Sequence, residues 1–216
     1  MAIGDGLNMQ TYTTYADILR PCEKTSAAFY DVALIVGGSL FVGLSAQMAI
    51  LLPFSPVPIT GQTFAVLLLG AMLGARRGCL CMLAYIAEGA AGLPVFSLGQ
   101  AGPAVLLGPR GGYIAGFVAA AYVTGFLAEK GWDRRIISTI LAMICGNIAI
   151  YTFGLLWLSC LMGINRSTLA VGLYPFLLGD SLKILLAAVL LPAGWRLLPC
   201  VRRPIRQAQG RRAGDG

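Results

Sequence analysis

The stretch Gly179-Asp180-Ser181-Leu182-Lys183, inside the apolar run from Phe176 to Trp195, decides how this chain is to be read. The run is apolar and long enough to cross a bilayer. Asp180 and Lys183 stand three residues apart, so on a helix they share a face about one turn apart. An ionised side chain at the centre of a bilayer costs at least roughly 2.5–3.5 kcal/mol, so such residues rarely face lipid. Two of opposite sign on one face point to a polar pocket inside a helix bundle. The alternative is a structural ion pair that locks the last helix.

Composition extends that reading to the rest of the chain. Of its 216 residues 57% are hydrophobic and only 12% charged, with a mean hydropathy of +0.78. Globular chains carry roughly 25% charge. Ten-residue stretches of alternating polarity, the mark of a membrane barrel, are missing. The fold class is therefore an all-α integral membrane protein. Twenty-eight glycines, many at helical spacing, suit close helix packing in lipid. The chain has no histidine, which removes Ser-His-Asp and Cys-His catalysis and histidine metal sites. Cys79 and Cys81 form a C-x-C without zinc-finger spacing, and all six cysteines read as packing residues. No metal or cofactor is expected, and basic clusters without interleaved aromatics give no sign of nucleic acid.

Six apolar runs follow: Val32 to Leu52, Phe64 to Ala75, Gly78 to Gly92, Tyr113 to Ala128, Ile136 to Leu158 and Phe176 to Trp195. The second and third fall short of the usual ~20 residues and read as short tilted spans or as a re-entrant hairpin. With the N-terminus inside, six crossings put thirteen of the 16 basic residues in the cytoplasm, all but Arg110, Arg166 and Lys183. Arg76 and Arg77 fit that alternation, which favours six spans with both termini cytoplasmic. Residues 1–30 read as a mixed cytoplasmic segment with no cleavable leader. Residues 31–195 form the membrane domain, and 196–216 a basic tail expected to be disordered.

Two interruptions stand out. Pro53, Pro56 and Pro58 make a stiff, extended connection that ends in Thr60, Gln62 and Thr63, which hydrogen-bond a ligand or cap the next helix, with Thr63 read as the cap and Gln62 left open. Gly92 to Gly112 is rich in glycine and proline, yet carries Val95, Phe96, Leu98 and Leu106, and is expected to fold back as a lid. Its Gly108-Pro-Arg-Gly-Gly112 lacks the context of a nucleotide-phosphate loop. The fourth run bears a stripe of small residues, Gly112, Gly116, Ala120, Thr124 and Ala128.

At ~1.5 Å per residue, Asp180 lies about 6 Å and Lys183 about 10 Å below the outer end of the last span. Tyr151 on the fifth run is about as deep as Lys183, with Asn147 about one turn deeper. These groups can share an outward-opening cavity suited to a small ligand with a carboxylate at one end and a hydrogen-bonding ring at the other. Glu88 reads either as a pocket acid or as an interfacial carboxylate. An intramembrane enzyme using Asp180 with Glu88, and an assembly subunit without a ligand, are the competing classes.

Pro56-Val-Pro-Ile-Thr-Gly-Gln-Thr-Phe64, Gly92-Leu-Pro-Val-Phe96, Gly108-Pro-Arg-Gly-Gly-Tyr113 and Pro175-Phe-Leu-Leu-Gly-Asp-Ser-Leu-Lys183 closely resemble the BioY family. These are the biotin-specific substrate-capture subunits of energy-coupling-factor transporters. The resemblance runs from about residue 32 to 195 and implies a six-helix bundle that binds biotin near its outer face in a bacterial cytoplasmic membrane. It implies as partners a transmembrane coupling subunit and a pair of ATPase subunits. It assigns Lys183 to the biotin carboxylate and Asp180 to the ureido N–H groups, or Asp180 to orienting Lys183, with Asn147 and Tyr151 beside them. Arg110 is a second carboxylate ligand or an interfacial anchor. Ala33-x-x-x-Gly37 resembles the pattern that docks substrate subunits on the coupling subunit, or else packs within the bundle.

Overall fold

Four of the apolar runs become helices long and apolar enough to cross a membrane: Lys24–Gln47, Gly111–Glu129, Ile136–Met162 and Tyr174–Leu197. The computed structural model describes residues 14–21, 23–163 and 172–212. Cys22 and Arg166 therefore lie outside the described residues. In chain order the helices are α1 (Tyr15–Leu19), α2 (Lys24–Gln47), α3 (Gln62–Leu73), α4 (Ala75–Ala90), α5 (Pro103–Leu107), α6 (Gly111–Glu129), α7 (Ile136–Met162) and α8 (Tyr174–Arg212). Two strands, β1 (Ala49–Ile50) and β2 (Ile59–Thr60), pair antiparallel between α2 and α3.

The long helices turn large apolar side chains outward. Leu44 is 69%, Ile137 76% and Leu178 84% exposed, which suits a lipid surrounding. The interior is built from small residues. All five members of the α6 stripe are buried, and α6 packs on α3, α4 and α7. A side chain at Gly116 would meet the α7 backbone at Ile150 at 3.0 Å, and one at Gly125 the backbone of Gly74 and Ala75 at 2.5 Å. Close approach of backbones replaces the leucine interdigitation of a water-soluble core.

Several boundaries differ from the sequence reading. Helix α2 stops at Gln47, and Ala49 and Ile50 pair with Thr60 and Ile59, so the proline-rich connection is the loop of a hairpin. Helices α3 and α4, of 12 and 16 residues, span about 18 and 24 Å. They fold against each other around Gly74 (φ 86°), where Gly78 meets Gly70. Helix α7 continues to Met162, past the end of the apolar run at Leu158. The backbone of α8 is helical from Tyr174 to Arg212.

Six helices alternate between two ends. At one end Arg77 of α4 meets Asp17 and Asp31, the Ala75 N–H donates to Glu129 of α6, and Trp195 of α8 donates to Asp133. At the other, Gln47 reaches Phe96, Lys183 reaches Thr60, and Trp157 of α7 donates to Gly108.

Candidate functional site

The Asp180 carboxylate is 3% exposed and faces into the bundle. Its Oδ1 accepts from Lys183 Nζ at 2.9 Å and from Thr63 Oγ1 at 3.0 Å, and its Oδ2 from the Tyr151 hydroxyl. Lys183 Nζ also donates to the Thr60 carbonyl at 2.7 Å and to Thr63 Oγ1 at 2.8 Å. An ammonium has three donors, and all three are engaged. The hairpin strand β2, the first turn of α3, and helices α7 and α8 thus meet at one ion pair.

That pair forms one wall of a cavity with about 550 Å³ of atom-free space, mouth included. Thr60, Gln62 and Thr63 line one side, Tyr85 and Ser97 another, and Arg110 and Tyr113 stand where α6 begins. Ile114, Phe117, Ile150 and Phe176 give it apolar walls. Only about 50 Å³ of it admits the centre of a water-sized sphere. Anything larger than a water molecule must therefore displace side chains to enter it.

Both interruptions cover this cavity. Val57 is buried, and Pro58 is part of the lining. Phe96 is fully buried, edge-on to Tyr85 with ring centroids 5.5 Å apart. A Cβ on Gly89 would sit 2.2 Å from the Phe96 ring, so only glycine there lets the lid segment close. Arg110 Nη1 donates to Ser97 Oγ at 3.0 Å and to Gln100 Oε1 at 2.8 Å, which ties the lid to the start of α6. Burial lowers the Arg110 pKa.

The BioY family model matches residues 21–200. The chain belongs to the BioY family. It is 36% identical over 171 residues to the biotin transporter BioY of Rhizobium etli, covering 74% of this chain and 91% of that one. With the biotin transporter BioY of Thermotoga maritima it shares 39% over 158 residues, 72% and 92% of the two chains. It superposes with a TM-score of 0.70 on the S-component for biotin from an ECF-type ABC transporter, solved at 2.1 Å. Sequence identity there is 25%, over 81% of this chain and 95% of the other. These relatives are named transporters, not enzymes. With its four long apolar helices, this BioY chain is a multi-pass membrane protein.

Within the BioY fold the expected site residues divide. Asp180, Lys183, Tyr151, Gln62, Thr60 and Arg110 line the cavity. Asn147 does not. It lies in the groove between α7 and α8, which shares Tyr151 and Asp180 with the cavity. Residues i and i+4 differ by about 40° and 6 Å on a helix, enough to put them on opposite sides of one wall. Glu88 also misses the cavity: its Oε1 accepts from Ser39 of α2 at 2.6 Å, so an acid/base pair with Asp180 is not assembled. Tyr85, three residues earlier, turns inward instead and takes a hydrogen bond from Gln62.

Two contributors escaped the sequence reading. Thr63, assigned to helix capping, is the hydroxyl between Asp180 and Lys183, and Gly61 is the N-cap. Tyr85 was hidden in an apolar run. The two small-residue pairs of α2 face different ways. Ser39 and Gly43 are buried, and a Cβ on Gly43 would touch Val95. Ala33 and Gly37 are exposed, with nothing within 4 Å of a Cβ on Gly37.

Proposed function

We propose that this chain captures biotin at the Asp180–Lys183 pair and is the substrate-specific subunit of an energy-coupling-factor transporter in the cytoplasmic membrane. One observation carries the reading: an anion and a cation three residues apart on α8, with side chains only 5% and 19% exposed, line a cavity inside the bundle. Lys183 receives the carboxylate by a charge-assisted hydrogen bond. Asp180, freed in part, accepts from the ureido N–H groups, with Tyr151 and Thr63 holding its orientation. The apolar walls suit the thioether ring and the valeryl chain.

All six alternating helices cross the membrane in this reading, α3 and α4 as a short tilted pair. Among the described residues, Arg20, Lys24, Arg76, Arg77, Lys130, Arg134, Arg135 and Arg196 belong to the end opposite the cavity. That charge bias makes their end cytoplasmic, together with both termini, and opens the cavity outward.

Energy comes from partners: a transmembrane coupling subunit and ATPase subunits. The exposed Ala33 and Gly37 give a smooth face on α2 where a partner helix can lie close. The test is saturable binding of labelled biotin to the purified protein in detergent, competed by unlabelled biotin and not by other water-soluble vitamins. Equal competition by several vitamins overturns the assignment. Replacing Ala33 and Gly37 by Leu is expected to leave binding intact and abolish biotin uptake by cells that express the coupling module.

A further inference from the structure

At the end of the bundle away from the cavity, α7 and α8 leave a groove with about 990 Å³ of atom-free space, its open side included. Arg134, Arg135 and Arg196 line it together with Trp132, and among the described residues no carboxylate does. The nearby Asp133 is buried and receives the Trp195 indole N–H, so its charge turns inward. Arg134 is engaged, its guanidinium 4.7 Å over the Trp195 ring. Arg20 and Arg77 pair with Asp17 and Asp31, and Lys130 lies 4.1 Å over the Phe126 ring. Below the arginines, Ile137, Leu141, Ile144 and Ile148 are all exposed. Their spacing of 4, 3 and 4 residues makes one apolar track down the outer face of α7.

Arg135 and Arg196 above an apolar track match one molecule, with a phosphodiester at one end and acyl chains at the other. A soluble phosphate would use the arginines and ignore the track. We infer that this groove is a binding site for an anionic glycerophospholipid, whose headgroup phosphate is held by Arg135 and Arg196 and whose acyl chain lies along α7.

The test is native mass spectrometry of the full-length protein released from detergent mixed with equal amounts of phosphatidylglycerol and phosphatidylcholine of the same chain length. Wild type is expected to retain one phosphatidylglycerol with a preference of about tenfold or more. Arg135→Gln with Arg196→Gln is expected to erase that preference. Lys24→Gln with Arg76→Gln removes the same charge from the same end outside the groove, and is expected to keep it. Loss of the preference in both double variants would mean diffuse attraction and overturn the site. So would equal retention of the two lipids by wild type, which holds even if the arginine variant does not fold. Displacement of the lipid by an equal concentration of glycerol 3-phosphate would also overturn it, because the track would then carry nothing.

Discussion

At one end of the bundle Arg77 pairs with Asp17 at 2.7 Å and with Asp31 at 2.8 Å, and Arg20 closes the chain of charges on Asp31 at 2.8 Å. At the other end Lys183 pairs with Asp180 at 2.9 Å. The chemistry is the same and the setting is not. The Arg77 network ties helices together: α1 through Asp17, α2 through Asp31, and α4 itself. Tyr15 adds a hydrogen bond to the Leu191 carbonyl and packs at a tilt against Trp195, with ring centroids 4.6 Å apart. The Asp180–Lys183 pair also ties elements together, but one side of it borders open space. A buried ion pair is poor evidence of stability by itself, because desolvation cancels much of its attraction. The neighbouring cavity is what separates a binding pair from a clasp.

Substitutions at the two ends should therefore separate affinity from stability. The largest effect is expected at Asp180→Asn, which keeps the shape and removes the charge. Biotin affinity should fall by on the order of a hundredfold, as read by titration of the purified protein. Arg77→Ala should leave affinity within about twofold and lower the unfolding free energy by about 1–3 kcal/mol, since it strips Asp17 of its cation and leaves Asp31 with Arg20 alone. Thermal unfolding in detergent reads this loss. A large affinity loss at Arg77 would erase the distinction between the ends.

The smallest effect concerns pH. Burial pushes the Asp133 carboxyl up to about 6, against the opposing hydrogen bond from Trp195 and the charge of Arg134. The folded state thus binds this proton more readily than the unfolded state. Stability from this group rises as pH falls from 7 through 6, and the gain is complete below the unfolded value near 4. A rise of about 1–3 kcal/mol is expected, and Asp133→Asn should flatten it. Asp17 acts in the opposite sense. Partial burial raises its pKa, but hydrogen bonds from Arg77 and Thr14 outweigh that and lower it, so its contribution is lost on acidification. The difference between wild type and Asp133→Asn isolates the Asp133 part.

The long helices were legible because unbroken apolar runs leave few alternatives in a bilayer. The Asp180–Lys183 pair was legible because charge inside such a run is expensive. The buried stripe of α6 could be read from the small residues at every fourth position. What the sequence hid depended on chain segments meeting from far apart. Thr63 reads as a capping residue until α8, more than a hundred positions later, brings Asp180 to it. Tyr85 reads as apolar filler until Gln62 and the lid segment surround it. Residues 14–20 seem an unremarkable polar segment. Yet Thr14 and Asp17 cap a short helix reciprocally, and that helix closes one end of the bundle. Asn147 and Tyr151 share a face by spacing, but spacing does not reveal that the wall between cavity and groove passes between them.

The most direct test is Lys183→Ala, with biotin affinity and thermal unfolding measured on the same preparation. Loss of affinity by a hundredfold or so, with an unfolding midpoint within a few degrees of wild type, is the predicted result. If affinity and stability fall together, or if biotin binds the variant as well as wild type, the pair at the head of α8 is a lock and not a binding site.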